Sequence, residues 1–150
     1  MNDDTATPHA AAHVLLRKDN TIAFVLRSAT GWMDGHYGLP AGRVEKNESF
    51  RAAAAREAKE EVGVDLTAAE LVPTLTVHRD SQDLGGWVEI YFTALSWSGE
   101  PYNAEPAKHS ELAWLDIDNL PENLMPGLNY CLQQIKDKQS YAEYGWDETD

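Results

Sequence analysis

The chain has 150 residues, 43% of them apolar and 25% charged, with a formal net charge of −13. That length and balance fit one globular domain with a sizeable core, and the acidic surplus disfavours DNA or RNA as a polymeric partner. A lone cysteine, Cys131, leaves no internal disulfide, no apolar run approaches the roughly 18–20 residues that span a bilayer, and the polar start Met1-Asn2-Asp3-Asp4 is unlike a signal peptide, so the chain reads as cytoplasmic with no membrane partner.

Residues 1–8 read as a flexible lead and residues 9–140 as the domain. Within it, 9–17 and 21–27 are strands of a hairpin around Lys18-Asp19-Asn20. A loop over 28–36 leads to a brief strand near Gly38–Leu39. A helix follows, capped by Asn47 and stopped by Gly63. Its apolar stripe is Phe50, Ala54, Ala58 and Val62. Alternation makes 70–79 a strand, 80–86 a turn and 87–97 a long strand. A loop with two prolines fills 99–110, a short strand 111–115 and a second helix about 127–139. Residues 141–150 form an acidic tail whose Tyr141, Tyr144 and Trp146 pack on their own domain or on a second copy, which leaves a homodimer open.

The densest information lies between Gly42 and Val64, in GRVEKNESFRAAAAREAKEEVGV. Glu57, Glu60 and Glu61 stand at i, i+3 and i+4, one patch of a helix. Like charges so spaced destabilise a helix by roughly 0.2–0.5 kcal/mol per pair. A divalent cation converts that repulsion into an oxygen-rich ligand set suited to Mg2+ or Mn2+. The plainer meaning of such a run is a solvated acidic face.

The whole spacing, from Gly42 through Glu48, Arg56-Glu57-Ala58 and Glu60-Glu61 to Gly63-Val64, resembles the Nudix box, the signature of the Nudix hydrolases. The resemblance implies an α/β fold, an α/β/α sandwich with a mixed sheet. It implies metal-dependent cleavage of a phosphoanhydride bond, with Gly42, Glu57, Glu60 and Glu61 as metal ligands. Arg56 then orients a ligand glutamate, and Glu48 fixes the junction of loop and helix. Glu105 falls near a further family carboxylate, ligand or base, with Glu100 and Glu111 as rivals. Arg27 falls where family members grip a phosphate, and Asn123 near a base-reading asparagine of antimutator-type members.

Arg79, closing a strand beside His78, could face the same cleft. Trp32, Tyr37 and Tyr91 are candidate stacking residues, whereas Trp87 and Trp97 read as sheet packing and Lys108 and His109 as weak candidates. Cues of other subfamilies are missing: no proline stands at Val77–Arg79, and Asp80-Ser81-Gln82 stands where a tyrosine is usual. The implied substrate is a nucleoside triphosphate, normal or oxidised, yielding a monophosphate and pyrophosphate. The alternatives are a nucleoside diphosphate linked to another group, and a silent nucleotide sensor.

Overall fold

Strand β1 (His9–Lys18) organises the fold because it is apolar on both faces. The computed structural model describes residues 3–81 and 85–146. Successive strand side chains point to opposite faces. Ala12, Val14 and Leu16 therefore join one core, and Leu15 joins the other. β1 pairs in parallel with β6 (Trp87–Ala94), from His9 opposite Trp87 to Leu16 opposite Ala94.

The other edge of β1 is shared. β4 (Ala41–Arg43) covers Ala11–His13, and β2 (Thr21–Arg27) covers Arg17 and Lys18. β2 also carries β3 (Tyr37–Gly38) and β7 (His109–Asp116). β5 (Val72–Arg79) lies antiparallel to β6, and β8 (Tyr141–Tyr144) lies parallel to β5. Among the described residues this makes one mixed sheet of eight strands.

Helix α1 (Phe50–Val62) covers one face and α2 (Leu128–Lys136) the other. Ala53, Ala54, Ala58 and Val62 of α1 are fully buried. Their small volume lets the helix backbone approach β1. Leu128, Cys131 and Leu132 of α2 pack on Leu15, Phe24, Leu75 and Val77. Each buried leucine there contributes roughly 1.5–3 kcal/mol. The result is the α/β/α sandwich implied by the sequence.

Several boundaries differ from expectation. Ser49, not Asn47, caps α1: its extended backbone lets the hydroxyl accept from Ala52 N–H at 3.1 Å. Asn47 has φ of 65°, a left-handed conformation that serves the preceding turn. β4 was not anticipated, because its Ala-Gly-Arg sequence has no strand propensity and pairing with β1 creates it. β6 ends at Ala94 rather than Trp97, and Ser98 instead bridges Asp65 through mutual backbone bonds at 2.9 and 3.0 Å. α2 ends at Lys136. The tail set apart at 141 enters the sheet as β8. The expected turn over 80–86 has Gln82–Leu84 outside the described residues, as are residues 1–2 of the lead and 147–150 of the tail.

Candidate active site

The site begins with one arginine. Arg56 Nε and Nη2 donate to the two oxygens of Glu48 at 2.7 and 3.0 Å, a bidentate fork. Nη1 donates to Glu57 Oε1 at 2.8 Å, and Nη2 also reaches the Arg43 carbonyl at 3.0 Å. Arg56 thereby ties α1 to the incoming loop and to β4. The Glu48 hydrogen bonds, foremost, and those to Glu57 hold its pKa above the ordinary arginine value against the opposing effect of burial.

Glu57 lies against the backbone of Gly42, where an added Cβ would collide with the carboxylate. That close approach is the local reason for glycine at this position. Beside it, Glu61 is only 8% exposed, and its Oε2 accepts from Ala41 N–H at 2.7 Å. Burial is the main cause that pushes the Glu61 carboxyl well above the usual range, with the charges of Glu57 and Glu105 adding to it. Burial also raises Glu57, against the pull of Arg56. Each of the two carboxyls is among the influences on the other, and the Glu57 charge adds to the upward shift of Glu61.

Glu61, Glu105 and His109 bring a ligand atom each to within 4.8 Å of one another. His109 Nε2 stands 3.5 Å from Glu61 Oε1. Burial lowers the His109 pKa, so its ring is neutral at pH 7, while its Nδ1 is buried with no hydrogen-bond partner. The carboxylate oxygens of Glu61 and Glu105 are the donors a hard divalent cation takes, with the His109 ring nitrogen beside them. Glu60, by contrast, is exposed and 3.5 Å from Arg56. The Glu57–Glu60–Glu61 patch thus divides, two carboxylates turning inward and one outward. Of the rivals to Glu105, Glu100 lines a separate cavity of about 490 Å³ with Trp97 and Trp114, and Glu111 accepts from the Tyr37 hydroxyl at 3.3 Å.

Glu61, Gly42 and His109 open onto a cleft of about 630 Å³. Arg27, Trp32 and Arg79 line it, as do Tyr91, Trp87 and Glu89. Arg27 is pinned by its own loop, with Nε on the Trp32 carbonyl at 2.9 Å and Nη2 on Thr30 Oγ1 at 3.1 Å. Trp32 is 58% exposed, with Arg27 5.0 Å from its ring centroid. Tyr37 and Asn123 stand outside this lining. Asn123 donates to the Gly35 carbonyl at 2.9 Å and accepts the Tyr37 N–H at 2.8 Å, stapling two loops.

The sequence reading passed over a buried charge cluster in the cleft wall. Glu89 Oε1 meets Arg79 Nη2 at 3.1 Å and His13 Nε2 at 3.6 Å, and His13 stacks on Tyr91 at 4.2 Å. Burial would raise the Glu89 carboxyl, but His13 and Arg79 outweigh it and hold it at about 2. The available signal was alternation: a glutamate inside the apolar-rich Trp87–Ala94 strand sits on an inward face. Trp87, read as sheet packing, is a residue of β6 that also lines the cleft, with Arg43 and Arg79 5.2 and 5.4 Å from its ring centroid.

The family model of the NUDIX domain matches residues 7–135. The chain belongs to the NUDIX family. The chain is 36% identical over 67 residues to an 8-oxo-dGTP diphosphatase of Proteus vulgaris, covering 45% of this chain and 60% of that protein. The match therefore spans less than two thirds of that relative's length. An ADP-ribose pyrophosphatase of Methanocaldococcus jannaschii is 30% identical over 115 residues, covering 77% of this chain and 66% of the other. The crystal structure of a MutT NUDIX hydrolase from Burkholderia pseudomallei superposes with a TM-score of 0.75 at 29% identity, covering 85% of this chain and 98% of that one. Hydrolases of this family generally use a divalent metal. No described helix is long and apolar enough to cross a membrane.

Proposed function

We propose that this NUDIX hydrolase cleaves nucleoside triphosphates, normal or oxidised, to a monophosphate and pyrophosphate with Mg2+ or Mn2+. The observation that carries the reading is the convergence of Glu61, Glu105 and His109 at one end of a cleft large enough for a nucleotide. The likeness to an 8-oxo-dGTP diphosphatase supports it.

Glu57, Glu61 and Glu105, with the Gly42 carbonyl and the outer Glu60, are the groups that would hold the cation. A divalent cation held there would supply charge neutralisation at phosphate oxygens and a more acidic water. Arg56 keeps Glu57 aimed by its 2.8 Å bond, and the Ala41 N–H keeps Glu61 aimed by its 2.7 Å bond. Glu105 takes the proton of the attacking water. Arg27 and Arg79 are the cleft cations that meet phosphate and base. Tyr37 and Asn123 act indirectly, by holding the loop that carries Trp32.

A second reading, cleavage of a nucleoside diphosphate linked to another group, is supported by the likeness to an ADP-ribose pyrophosphatase. A panel of nucleotides with Mg2+ or Mn2+, with phosphate and pyrophosphate counted separately, decides between them. Triphosphates should give pyrophosphate and a monophosphate. Inert triphosphates beside rapid ADP-ribose cleavage would overturn the first reading in favour of the second.

A further inference from the structure

Residues 136–146 lie beyond the stretch matched by the family model, yet they build part of the cleft. β8 runs parallel to β5, with Tyr141 opposite Thr76 and Tyr144 opposite Arg79. Alternation sends Ala142 and Tyr144 to the α2 face, and Tyr141 and Glu143 to the other. Ala142 joins the α2-side core, and Tyr144, 37% exposed, lines the cleft.

The strand is fastened. Tyr144 O accepts Asp80 N–H at 2.9 Å, and the Trp146 indole N–H donates to the His78 carbonyl at 2.8 Å while its ring lies 4.6 Å from the His78 imidazole. The Tyr144 ring rests on Gly127, where a Cβ would stand 3.1 Å from it, with the Tyr130 ring 5.7 Å away. Ordering a backbone segment costs roughly 1–2 kcal/mol per residue in conformational entropy. These contacts offset that cost and leave one face of Tyr144 toward the cleft.

Register also aligns Trp87, Arg79 and Tyr144 in one row across β6, β5 and β8. Arg79 is braced by Glu89 at 3.1 Å. Aromatic, cation, aromatic is a surface that takes a flat ring by stacking and cation–π attraction. It lines the same cleft as Gly42 and Glu61.

Resting on the reading of this cleft as a nucleotide site, we propose that β8 is a working wall of it. Tyr144 holds the planar, non-phosphate end of the substrate, a nucleobase, against the Trp87–Arg79 row. It governs affinity and base selection, and turnover is left to the carboxylates.

Binding of nucleoside monophosphates to the full chain, measured by calorimetry, tests this apart from hydrolysis. Tyr144→Leu should weaken binding about tenfold, the order that base stacking on an aromatic side chain supplies. Tyr144→Phe should stay near wild type, and Tyr141→Ala, on the opposite face of the strand, should change nothing. Ribose 5-phosphate, which has no base, should bind all four proteins alike. In hydrolysis, Tyr144→Leu should raise KM with kcat changed less than about twofold. An unchanged affinity in Tyr144→Leu overturns the proposal. So does an equal loss for ribose 5-phosphate, or an equal loss in Tyr141→Ala, which would mark β8 as an edge used by a second copy. If Tyr144→Leu does not fold, photolabelling of the wild type by an azidopurine monophosphate decides: label on the Tyr144 peptide supports the wall, and label only elsewhere refutes it. If triphosphates prove inert while the Tyr144 pattern holds, the proposed reaction fails and the wall stands.

Discussion

Glu61→Gln should make the metal-free protein more stable and the enzyme nearly inactive. Glu61 is 8% exposed, and its carboxyl is raised well above the usual range, chiefly by burial. A carboxyl raised on folding carries no penalty below its unfolded pKa, and an increasing one as pH climbs toward the folded pKa. Glutamine keeps the acceptor for Ala41 N–H and loses the charge. The metal-free variant should therefore melt a few degrees above wild type at pH 8, and the gap should close below about pH 4.5. Cation binding reverses the order. At one hundred times Kd a ligand adds about 2.7 kcal/mol. At about 2.1 cal/mol/K per residue over 150 residues, that raises Tm by about 9 °C. The variant, one ligand short, should gain less than about 2 °C, and its kcat should fall by at least about a hundredfold. Differential scanning calorimetry with and without Mg2+ at pH 4 and 8, with kcat in parallel, measures all of this. A variant that melts lower than wild type without metal and keeps the full Mg2+ increment would refute the reasoning.

Other perturbations separate the remaining parts. Glu105→Gln should reduce kcat about a hundredfold or more with KM nearly constant, while Glu100→Gln, in the other cavity, should be close to wild type; steady-state kinetics of the pair checks it. Because Glu89 is held at about 2 from an ordinary 4.5, its stabilisation is present above pH 4.5 and disappears as pH falls toward 2; it amounts to about 3 kcal/mol at neutral pH, so urea titrations should show a flatter acid limb for Glu89→Gln. Arg56→Lys loses the fork to Glu48 and should lower stability by about 1.5–3 kcal/mol and activity with it, read by urea melts and kcat/KM. The rate should increase from pH 6 toward alkaline values as the attacking water loses its proton more readily; a maximum of kcat/KM below about pH 6 would contradict that chemistry.

The sandwich was legible because its signals are local. The alanine stripe of α1 and the alternation in β1, β5 and β6 each identify an element and its buried face. The spacing of Glu57, Glu60 and Glu61 announced a patch, but one turn of helix cannot say which carboxylate turns inward. That depends on β4, a strand created by pairing with β1 rather than by its own residues. Glu89 was missed, and His109 ranked only as a weak candidate, for a related reason. Each is a polar strand residue, and only its partners, Glu61 on α1 for His109 and His13 with Arg79 on neighbouring strands for Glu89, distinguish a buried site from an edge. Cap choice at Ser49 over Asn47 hinged on backbone angles that composition does not reveal.

The alternation of β1 bears on how such a protein can acquire new selectivity. Ala12, Val14 and Leu16 lock against α1, while Ala11 and His13, their immediate neighbours in sequence, look into the cleft. Substitutions at Ala11 change what the cleft accepts without disturbing the first set, whereas His13 also holds Glu89 and so carries stability, and drift in specificity and in stability separate most cleanly at Ala11. An insertion or deletion of one residue between Ala11 and Leu16 removes that freedom at once, because it exchanges the two sets and sends core residues into the substrate's space. Lineages descending from this sequence should therefore vary by replacement at position 11, retain His13 together with Glu89, and keep the length of β1 fixed.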